Sequence, residues 1–455
     1  MSAVNLLSPI LNGGIQNVNF VNGRVLTAED MTAERAATLK RQRLLGTCVG
    51  DGVGSGLEIS LSSSSVSYGT QVVHVTGGVA VNRNGDVLQL ASDTDITLAA
   101  SLPTAPTNGG LFIPCQPPQT QLTNPGIYVL TILPASGYQE QVPVVQLNST
   151  GVATSCSSRF ATAGVQFRLA PVTLASTGTG LQPTLFALAN QIQTQLTSGA
   201  TTASLAPQLS QFRNGLAHAC FGTDALAGFA ANPLPLLPQA SPFDDYGLID
   251  TLRGASLMTD CEVPLAIMYW TQSGIQFVDM WSVRRPVFPA TGSEFWPVFS
   301  GSRRAVEGLA IFLQFQDQIA SLQSTLTLLS LDSAVSDSYF FFLPAAGLLP
   351  AANIKGSAGF DYSTFFSGHT YRNPTFMEGA ELMTLERNSF DYPPIDLSSH
   401  EMFWLYWVRE NLEGIVNGSA SSSTTQPYLV FANGHIRNVG KARYDLNYFD
   451  YASYA

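Results

Sequence analysis

The stretch VVHVTGGVAVNRNGDVLQLASDTDITL, from Val72 to Leu98, decides the fold class. Both of its halves are rich in β-branched residues and alternate apolar with polar side chains, which is the period of a half-buried strand. Asn84-Gly85 lies between the halves, and this dipeptide is typical of a tight hairpin turn. We therefore expect antiparallel β-structure in this part of the chain.

Upstream of this stretch, the sequence predicts one helix with a defined start. Thr27-Ala-Glu-Asp30 has the spacing of a capping box, and Gly46 is a typical helix terminator. We expect a helix from this box to about Leu45. Its apolar stripe is short and moderately hydrophobic. The stripe comprises Met31, Thr38 and Leu45 at seven-residue spacing, with Leu39 and Gln42 beside them.

The segment GDGVGSG, Gly50 to Gly56, superficially resembles a nucleotide-binding loop. A dinucleotide fingerprint needs a strand before it and a helix after it, whereas this segment follows a helix and leads into a strand. We interpret it as a flexible helix-to-strand hinge, whose glycines permit positive φ and close backbone approach.

Downstream, Gly126–Ala135 and Ala163–Leu174 are predicted strands that end a β-domain, and a polar loop containing Cys156 is expected to link them. The pattern then becomes helical from Leu181. A second helix is expected from Leu205 to Ala219, ending at Gly222.

The second half of the chain contains both strand-like and helix-like hydrophobic patterns. PLAIMYW and GIQFVDMW, separated by Thr271–Gly274, predict a buried hairpin, and Arg303–Leu322 predicts an amphipathic helix. From Ser338 onward we expect β-structure with an inserted helix at His400–Ile415.

These patterns together predict a β-rich, multidomain α+β protein with an N-terminal helix and antiparallel β-domains that carry inserted helices. The expected division is an attachment segment, a β-rich domain, a mixed domain and a β-rich C-terminal domain with an aromatic tail. Their ranges are 1–60, 61–180, 181–335 and 336–455.

Composition narrows the possible partners. Charged residues make up 12% of the 455 residues, against about 25% in typical soluble domains, and the net charge is −11. The acidic balance argues against nucleic acid or anionic lipid as a partner. The apolar runs are interrupted by proline and fall short of the roughly 18 residues of a membrane span. The N-terminus lacks the features of a secretory signal, so we expect assembly in the cytoplasm.

No constellation of catalytic or metal-binding residues stands out. The five cysteines and five histidines are not at metal-ligand spacing, so we expect reduced, mostly buried thiols and no cofactor or metal. Cys261 lies between Asp260 and Glu262, which would raise its pKa rather than activate it. The sequence therefore predicts a protein that is not an enzyme, although paired carboxylates of a glycosidase type stay possible.

The C-terminal tail ARYDLNYFDYASYA is dense in aromatic residues. Aromatics are enriched at interface hot spots, so the tail is either a docking peptide or a terminal strand that completes a sheet. The aromatic residues are Tyr444, Tyr448, Phe449, Tyr451 and Tyr454.

The run VNFVNGRVLTAEDMTAERAATLKRQRLL, followed by GDGVGSGLEIS, resembles the N-terminal attachment segment of proteins encoded with contractile injection systems and phage-like tails, including fibre and baseplate-associated components. The resemblance covers about residues 17–60. The matching positions are Asn19, Phe20, Gly23, Leu26, Thr27, Ala28, Asp30, Glu34, Gly52, Val53, Gly56, Leu57 and Glu58.

This resemblance implies a structural component at the baseplate or fibre attachment of a phage-tail-like contractile particle. Other particle subunits would be its partners, and a homo-oligomer, first of all a trimer, would match the particle symmetry. Two alternatives stay open: a carbohydrate- or receptor-binding tail protein that contacts a surface glycan or receptor, and a cell-wall-acting hydrolase. The expected interface residues are Phe20, Leu26, Met31 and Leu39, together with the aromatic residues of the tail.

Overall fold

The computed structural model describes residues 11, 14–61, 72–98, 125–148, 151–224, 247–288, 302–326, 331–352, 354, 356–399, 401–416 and 426–436. Helices and mostly antiparallel sheets alternate along these residues, which confirms the predicted α+β class. Within them, no helix combines the length and apolar character needed to cross a membrane. The helices are α1 Ala28–Val49, α2 Leu181–Thr197, α3 Ala206–Phe221, α4 Leu248–Gly254, α5 Ser302–Thr325, α6 Ser336–Tyr339, α7 Tyr362–Phe365, α8 Gly379–Ser389 and α9 Arg409–Val416.

Two small antiparallel sheets follow α1. The first has the order β1-β4-β5 and the second the order β2-β3-β6. β4 and β5 form the predicted hairpin, and Gly85 in the turn between them has a φ of 79°. The strands are β1 Gly52–Gly56, β2 Ile59–Leu61, β3 Val72–Val75, β4 Gly78–Val81, β5 Val87–Leu90 and β6 Thr94–Thr97.

The glycine-rich segment after α1 is a strand, so the prediction of a flexible hinge was wrong. Val53 donates its amide to the Arg285 carbonyl at 2.8 Å, which fixes β1 against a distant part of the chain. A Cβ on Gly52 would lie 2.7 Å from the Pro286 carbonyl oxygen, and Gly52 has a φ of +139°. Positive φ and close backbone approach are confirmed, but they serve packing rather than mobility.

A four-stranded antiparallel sheet with the order β10-β9-β7-β8 forms the centre of the described fold. β9 and β10 are the predicted buried hairpin, and β9 pairs with β7 only over Gly126–Ile132. The sheet joins strands from two of the expected segments, 61–180 and 181–335. The strands are β7 Gly126–Asn148, β8 Gly151–Val172, β9 Val263–Thr271 and β10 Gly274–Asp279.

The polar loop predicted between Ala135 and Ala163 was wrong, because most of these residues continue β7 and β8. The two strands stay paired from Ile127 opposite Val172 to Asn148 opposite Gly151. Polarity misled the prediction, since the described side chains of this ribbon, such as Gln139, Val142 and Phe160, are exposed, and an exposed strand does not require apolar alternation. Its Val and Thr residues have the β-propensity that suits a strand.

Helices α2, α3 and α4 cover one side of the central sheet. Leu185 and Ile192 of α2 lie in the same buried cluster as Phe212 and Leu216 of α3 and Ile267 of β9. The two longer helices confirm the predicted helical stretches, and α3 is followed by Gly222, whose left-handed φ of 70° ends the helix as predicted.

The C-terminal part packs α5 against a second sheet. This sheet has the order β12-β17-β16-β13, with β14 also paired to β16, and β11 pairs separately with β15. Phe315 and Ile319 of α5 share a buried cluster with Phe403 and Phe431 of the sheet. The strands are β11 Phe342–Leu343, β12 Ala346–Pro350, β13 Thr370–Tyr371, β14 Thr375–Met377, β15 Ile395–Asp396, β16 Met402–Val408 and β17 Tyr428–Asn433.

The helix predicted over His400–Ile415 was wrong in its first half. Met402–Val408 is strand β16, and the helix begins only at Arg409, while His400 lies outside the described residues. The run MFWLYWV is almost uninterrupted in apolar character because β16 lies inside its sheet and is mostly buried. Such a run is typical of a strand covered on both faces, and periodicity alone does not separate it from a buried helix.

The expectation of reduced thiols was wrong for Cys261 and for the cysteine bonded to it. Cys261 is disulfide-bonded, whereas Cys48 and Cys220 are free thiols, exposed and buried respectively. Burial raises the pKa of Cys220 to about 12. A bonded sulfur is not a nucleophile, so Cys261 is excluded as a catalytic thiol in this state.

Candidate interaction surface of the N-terminal segment

Residues 14–49 are held together by local polar contacts at the start of α1. The Thr27 hydroxyl accepts a hydrogen bond from the Asp30 amide at 3.2 Å, and the Asp30 carboxylate accepts one from the Thr27 amide at 3.1 Å. Arg24 pairs with the same carboxylate at 2.5 Å. The Thr27 backbone hydrogen bond, aided by Arg24, holds the pKa of Asp30 below its ordinary value. The capping box predicted from the sequence is confirmed.

One further contact ties the preceding extended segment to α1. The Val18 amide donates to the Glu34 carboxylate at 3.1 Å, across sixteen residues of sequence. Residues 18–27 therefore lie alongside the first turns of the helix. Local order in this segment comes from polar contacts, not from a hydrophobic core of its own.

The end of α1 is where the helix meets the rest of the fold. A Cβ on Gly46 would lie 2.2 Å from the Gly85 carbonyl oxygen, so the helix and the β4–β5 turn touch backbone to backbone. Arg43 pairs with the buried Asp86 at 2.6 Å. The helix continues to Val49, with its C-cap at Gly50. The predicted stop at Gly46 was wrong because that glycine serves contact rather than termination.

Within the described residues, most side chains of α1 are exposed. Among its 22 residues only Ala37 and Gly46 are buried. Met31, Leu45 and Val49 lie on one face together with Thr38, and they are 59%, 68% and 57% exposed. The predicted stripe therefore faces solvent along the length of the helix, where a chain would ordinarily bury it.

The segment before the helix also has exposed apolar side chains. Phe20 is 59% exposed and Leu26 is 48% exposed. Leu39 differs from the other expected interface residues of the N-terminal segment, because it is partly buried within its own chain. Sequence periodicity had not singled out Val25, which is 84% exposed and precedes the helix, or Val49, which continues the stripe once the helix end is known.

The charges of α1 are nearly balanced, with four basic residues against Glu29, Asp30 and Glu34, in a chain that is acidic. Arg35, Lys40 and Arg41 are exposed on α1, whereas the whole chain has a net charge of −11. On a helical wheel Arg35 and Arg41 flank the apolar stripe, one on each side.

The C-terminal aromatic residues expected at an interface lie outside the described residues. The structure does not describe residues 437–455, so the choice between a docking peptide and a terminal strand stays a prediction. These residues include Tyr444, Tyr448, Phe449, Tyr451 and Tyr454.

A cavity lined by charged residues has a volume of about 60 Å³ and lies between β1, α4, β9 and α5. Arg83 pairs with Asp51 at 3.3 Å and with Asp250 at 3.4 Å, and burial lowers the pKa of Arg253 at the same cavity to about 10. This volume corresponds to a few water molecules at most. The cluster joins distant parts of the chain and leaves no room for an organic substrate.

A larger groove of about 370 Å³ is lined by three carboxylates and by Phe340–Phe342. Each carboxylate is engaged within the fold. Asp224 accepts from the Leu181 amide at 2.6 Å, Asp337 pairs with His369 at 2.6 Å, and Asp396 accepts from the Ser398 amide at 2.8 Å. Phe340 and Phe342 are buried, so of the three rings only the partly buried Phe341 has surface left for stacking on a sugar.

Within the described residues, no group of three or more His, Cys, Asp or Glu side chains is placed to hold a metal ion. His218 is 1% exposed, and burial lowers its pKa to about 3. The absence of a cofactor stays a prediction.

No known family matches the chain, and no curated protein matches it. Among solved structures, one similarity is to the crystal structure of TssK, with 12% identity and a TM-score of 0.20, over 53% of this chain and 68% of that one. A TM-score this low does not indicate a shared fold.

Proposed function

We propose that this protein is a structural subunit of a phage-tail-like contractile injection particle, assembled in the cytoplasm and positioned at the baseplate or fibre attachment. Its partners are other subunits of the particle. The N-terminal segment, residues 14–49, is the part that docks.

One observation carries the proposal: α1 is well capped and anchored at its end, yet its apolar stripe is exposed. Such a helix receives little stabilisation from its own chain, because most helical stability in proteins comes from packing of an apolar face. The sequence of this same segment resembles attachment segments of contractile particles. Burying the stripe against another subunit accounts for both features.

The test replaces two exposed stripe residues with carboxylates. In Met31→Asp with Leu45→Asp, incorporation into purified particles is expected to fall at least tenfold, since burial of an unpaired charge is strongly unfavourable. The matched control is Ala36→Asp with Thr47→Asp, which adds the same charge on the opposite, exposed face of α1. Incorporation is measured by quantitative mass spectrometry of the particles.

Equal incorporation of both variants would refute docking through the stripe. Circular dichroism melts of the purified variants separate a docking defect from unfolding. Because all four positions are exposed, the thermal midpoints are expected to match that of the wild type.

The proposal assigns no catalytic role. The large groove holds its carboxylates in structural hydrogen bonds, and the charged cavity is too small for a sugar. Purified protein is therefore expected to release no soluble fragments from cell-wall polymer. Hydrolysis that is lost in Asp337→Asn or Asp396→Asn, with the fold intact, would favour the hydrolase instead.

A further inference from the structure

The central sheet carries a projecting two-stranded ribbon, which we call the β-arm. It comprises residues 137–148 of β7 and 151–162 of β8, where β9 no longer accompanies β7. At about 3.4 Å per residue, twelve residues extend the arm about 40 Å beyond the sheet. Its first residues, Gly137 to Glu140, are exposed, as is Phe160 on the opposite strand.

A ribbon of this length is not self-sufficient. An isolated two-stranded hairpin is marginally stable in water, because it has no third strand and no covered face. Within the described residues β8 pairs with β7 alone, so the outer edge of β8 presents a row of backbone donors and acceptors.

The β8 edge also lacks the usual protection against strand pairing. Natural edge strands carry charged residues, especially lysine, or proline, and these prevent pairing with a second chain. Residues 151–162 contain no proline and no lysine, and Arg159 is their only charged residue. β7 contains Pro143 within the arm, which removes one backbone donor, so the β8 edge is the better template.

The arm is electrically neutral in a chain of net charge −11. Its two charged residues, Glu140 and Arg159, pair with each other at 3.3 Å. Two copies of an acidic chain repel one another, and a neutral surface avoids this repulsion at the point of contact. The arm therefore suits a second copy of this chain as its partner.

We propose that the β8 edge of the arm pairs antiparallel with the same edge of a second copy of this chain. Antiparallel pairing of one edge with itself is two-fold symmetric, so a single surface serves both copies and the assembly closes at two. Full overlap of the arms places the bodies at opposite ends of the ribbon, about 40 Å apart. This distance exceeds the Debye length of about 8 Å at physiological ionic strength, so repulsion between the bodies is screened.

The first test measures mass in solution, away from any particle, and so does not depend on the proposed function. In sedimentation experiments at micromolar concentration, the full-length protein is expected to have a mass of twice 48.6 kDa. A short-arm variant joins Gly137 to Thr162 by Asn-Gly, since these residues are paired opposite each other. It is expected to sediment as a monomer with an unchanged thermal midpoint.

A wild type that stays monomeric at 100 µM would overturn the proposal, as would a short-arm variant that stays oligomeric. A monomeric wild type whose short-arm variant no longer enters the particle would instead assign the arm to another subunit.

The second test uses the wild type only, so it holds even where the variant fails to fold. Alternate amides of residues 151–162 face the outer edge of β8 and exchange rapidly in a monomer. Raising the protein concentration through the dissociation constant is expected to slow about half of these amides at least tenfold, while the amides of β9 stay unchanged. Exchange in the arm that does not depend on concentration would contradict pairing with a second copy.

Discussion

Gly46, a typical helix terminator in the sequence, lies within α1 in the structure and allows a close backbone contact there. In an isolated helix, replacing glycine with alanine stabilises by about 1 kcal/mol. Here the added Cβ would lie 2.2 Å from the backbone of Gly85. Gly46→Ala is therefore expected to destabilise the protein or to detach α1 from the β4–β5 turn.

The control for this prediction is Gly254→Ala, at the exposed end of α4, where a Cβ meets nothing within 4 Å. That variant is expected to be neutral or slightly stabilising. Thermal melts followed by circular dichroism check both, and a stabilised Gly46→Ala would contradict the close backbone contact.

His218 gives a pH dependence with a definite sign. Its ring is buried and contacts the Thr223 hydroxyl at 2.9 Å, and burial lowers its pKa to about 3 from the ordinary 6.5. Between these values the unfolded chain binds a proton that the folded chain does not, so stability falls as the pH falls below 6.5. The expected loss from this group is about 2 kcal/mol between pH 6.5 and pH 5.

The measurement is denaturant unfolding of the wild type and of His218→Gln at pH 7.5 and pH 5. Other titrating groups are common to both proteins, so the variant is expected to lose about 2 kcal/mol less stability than the wild type. An identical pH dependence in the two proteins would show that folding does not lower the pKa of His218.

At the scale of elements, Arg213 joins α3 to β10 and α5. Its guanidinium pairs with the fully buried Asp279 at 2.6 Å and also with Asp317. Burial alone would raise the pKa of Asp279, but Arg213, with hydrogen bonds from Gln314 and the Ser282 amide, lowers it below its ordinary value. The charge on Asp279 therefore depends on these partners.

Arg213→Leu is expected to cost about 3–5 kcal/mol, because it leaves a buried carboxylate uncompensated. Arg159→Leu, which breaks the exposed pair with Glu140, is expected to cost about 1 kcal/mol or less. Chemical denaturation compares the two. Equal and small losses would mean that water reaches Asp279.

At the scale of the whole molecule, the buried clusters begin at Val53. The N-terminal segment contributes contacts at its end, notably Arg43 with Asp86, but no core. A chain that starts at Gly50 is therefore expected to stay folded, with a loss of about 1–3 kcal/mol from the removed pair.

The check combines a thermal melt with particle incorporation. For a chain of this size the midpoint is expected to drop by less than about 10 °C, while incorporation is lost. A truncated protein that does not fold would show that residues 1–49 belong to the structural core.

The sequence by itself determined the elements whose signals are local. The capping box at Thr27, the Asn84-Gly85 turn, the β9–β10 hairpin and the end of α3 at Gly222 were all predictable, because caps, tight turns and helix stops depend on a few neighbouring residues. The α+β class follows from these elements.

Only the tertiary structure decided features that depend on distant partners. β16 was mistaken for a helix because an apolar run has no period once both faces are covered. The β-arm was mistaken for a loop because strands with exposed side chains, such as Gln139 and Phe160, need no apolar alternation. The apolar face of α1 could be named from its spacing, but only the structure shows that the helix touches the described fold at Gly46 and leaves this face exposed. Burial is a property of the assembled chain, and local sequence does not contain it.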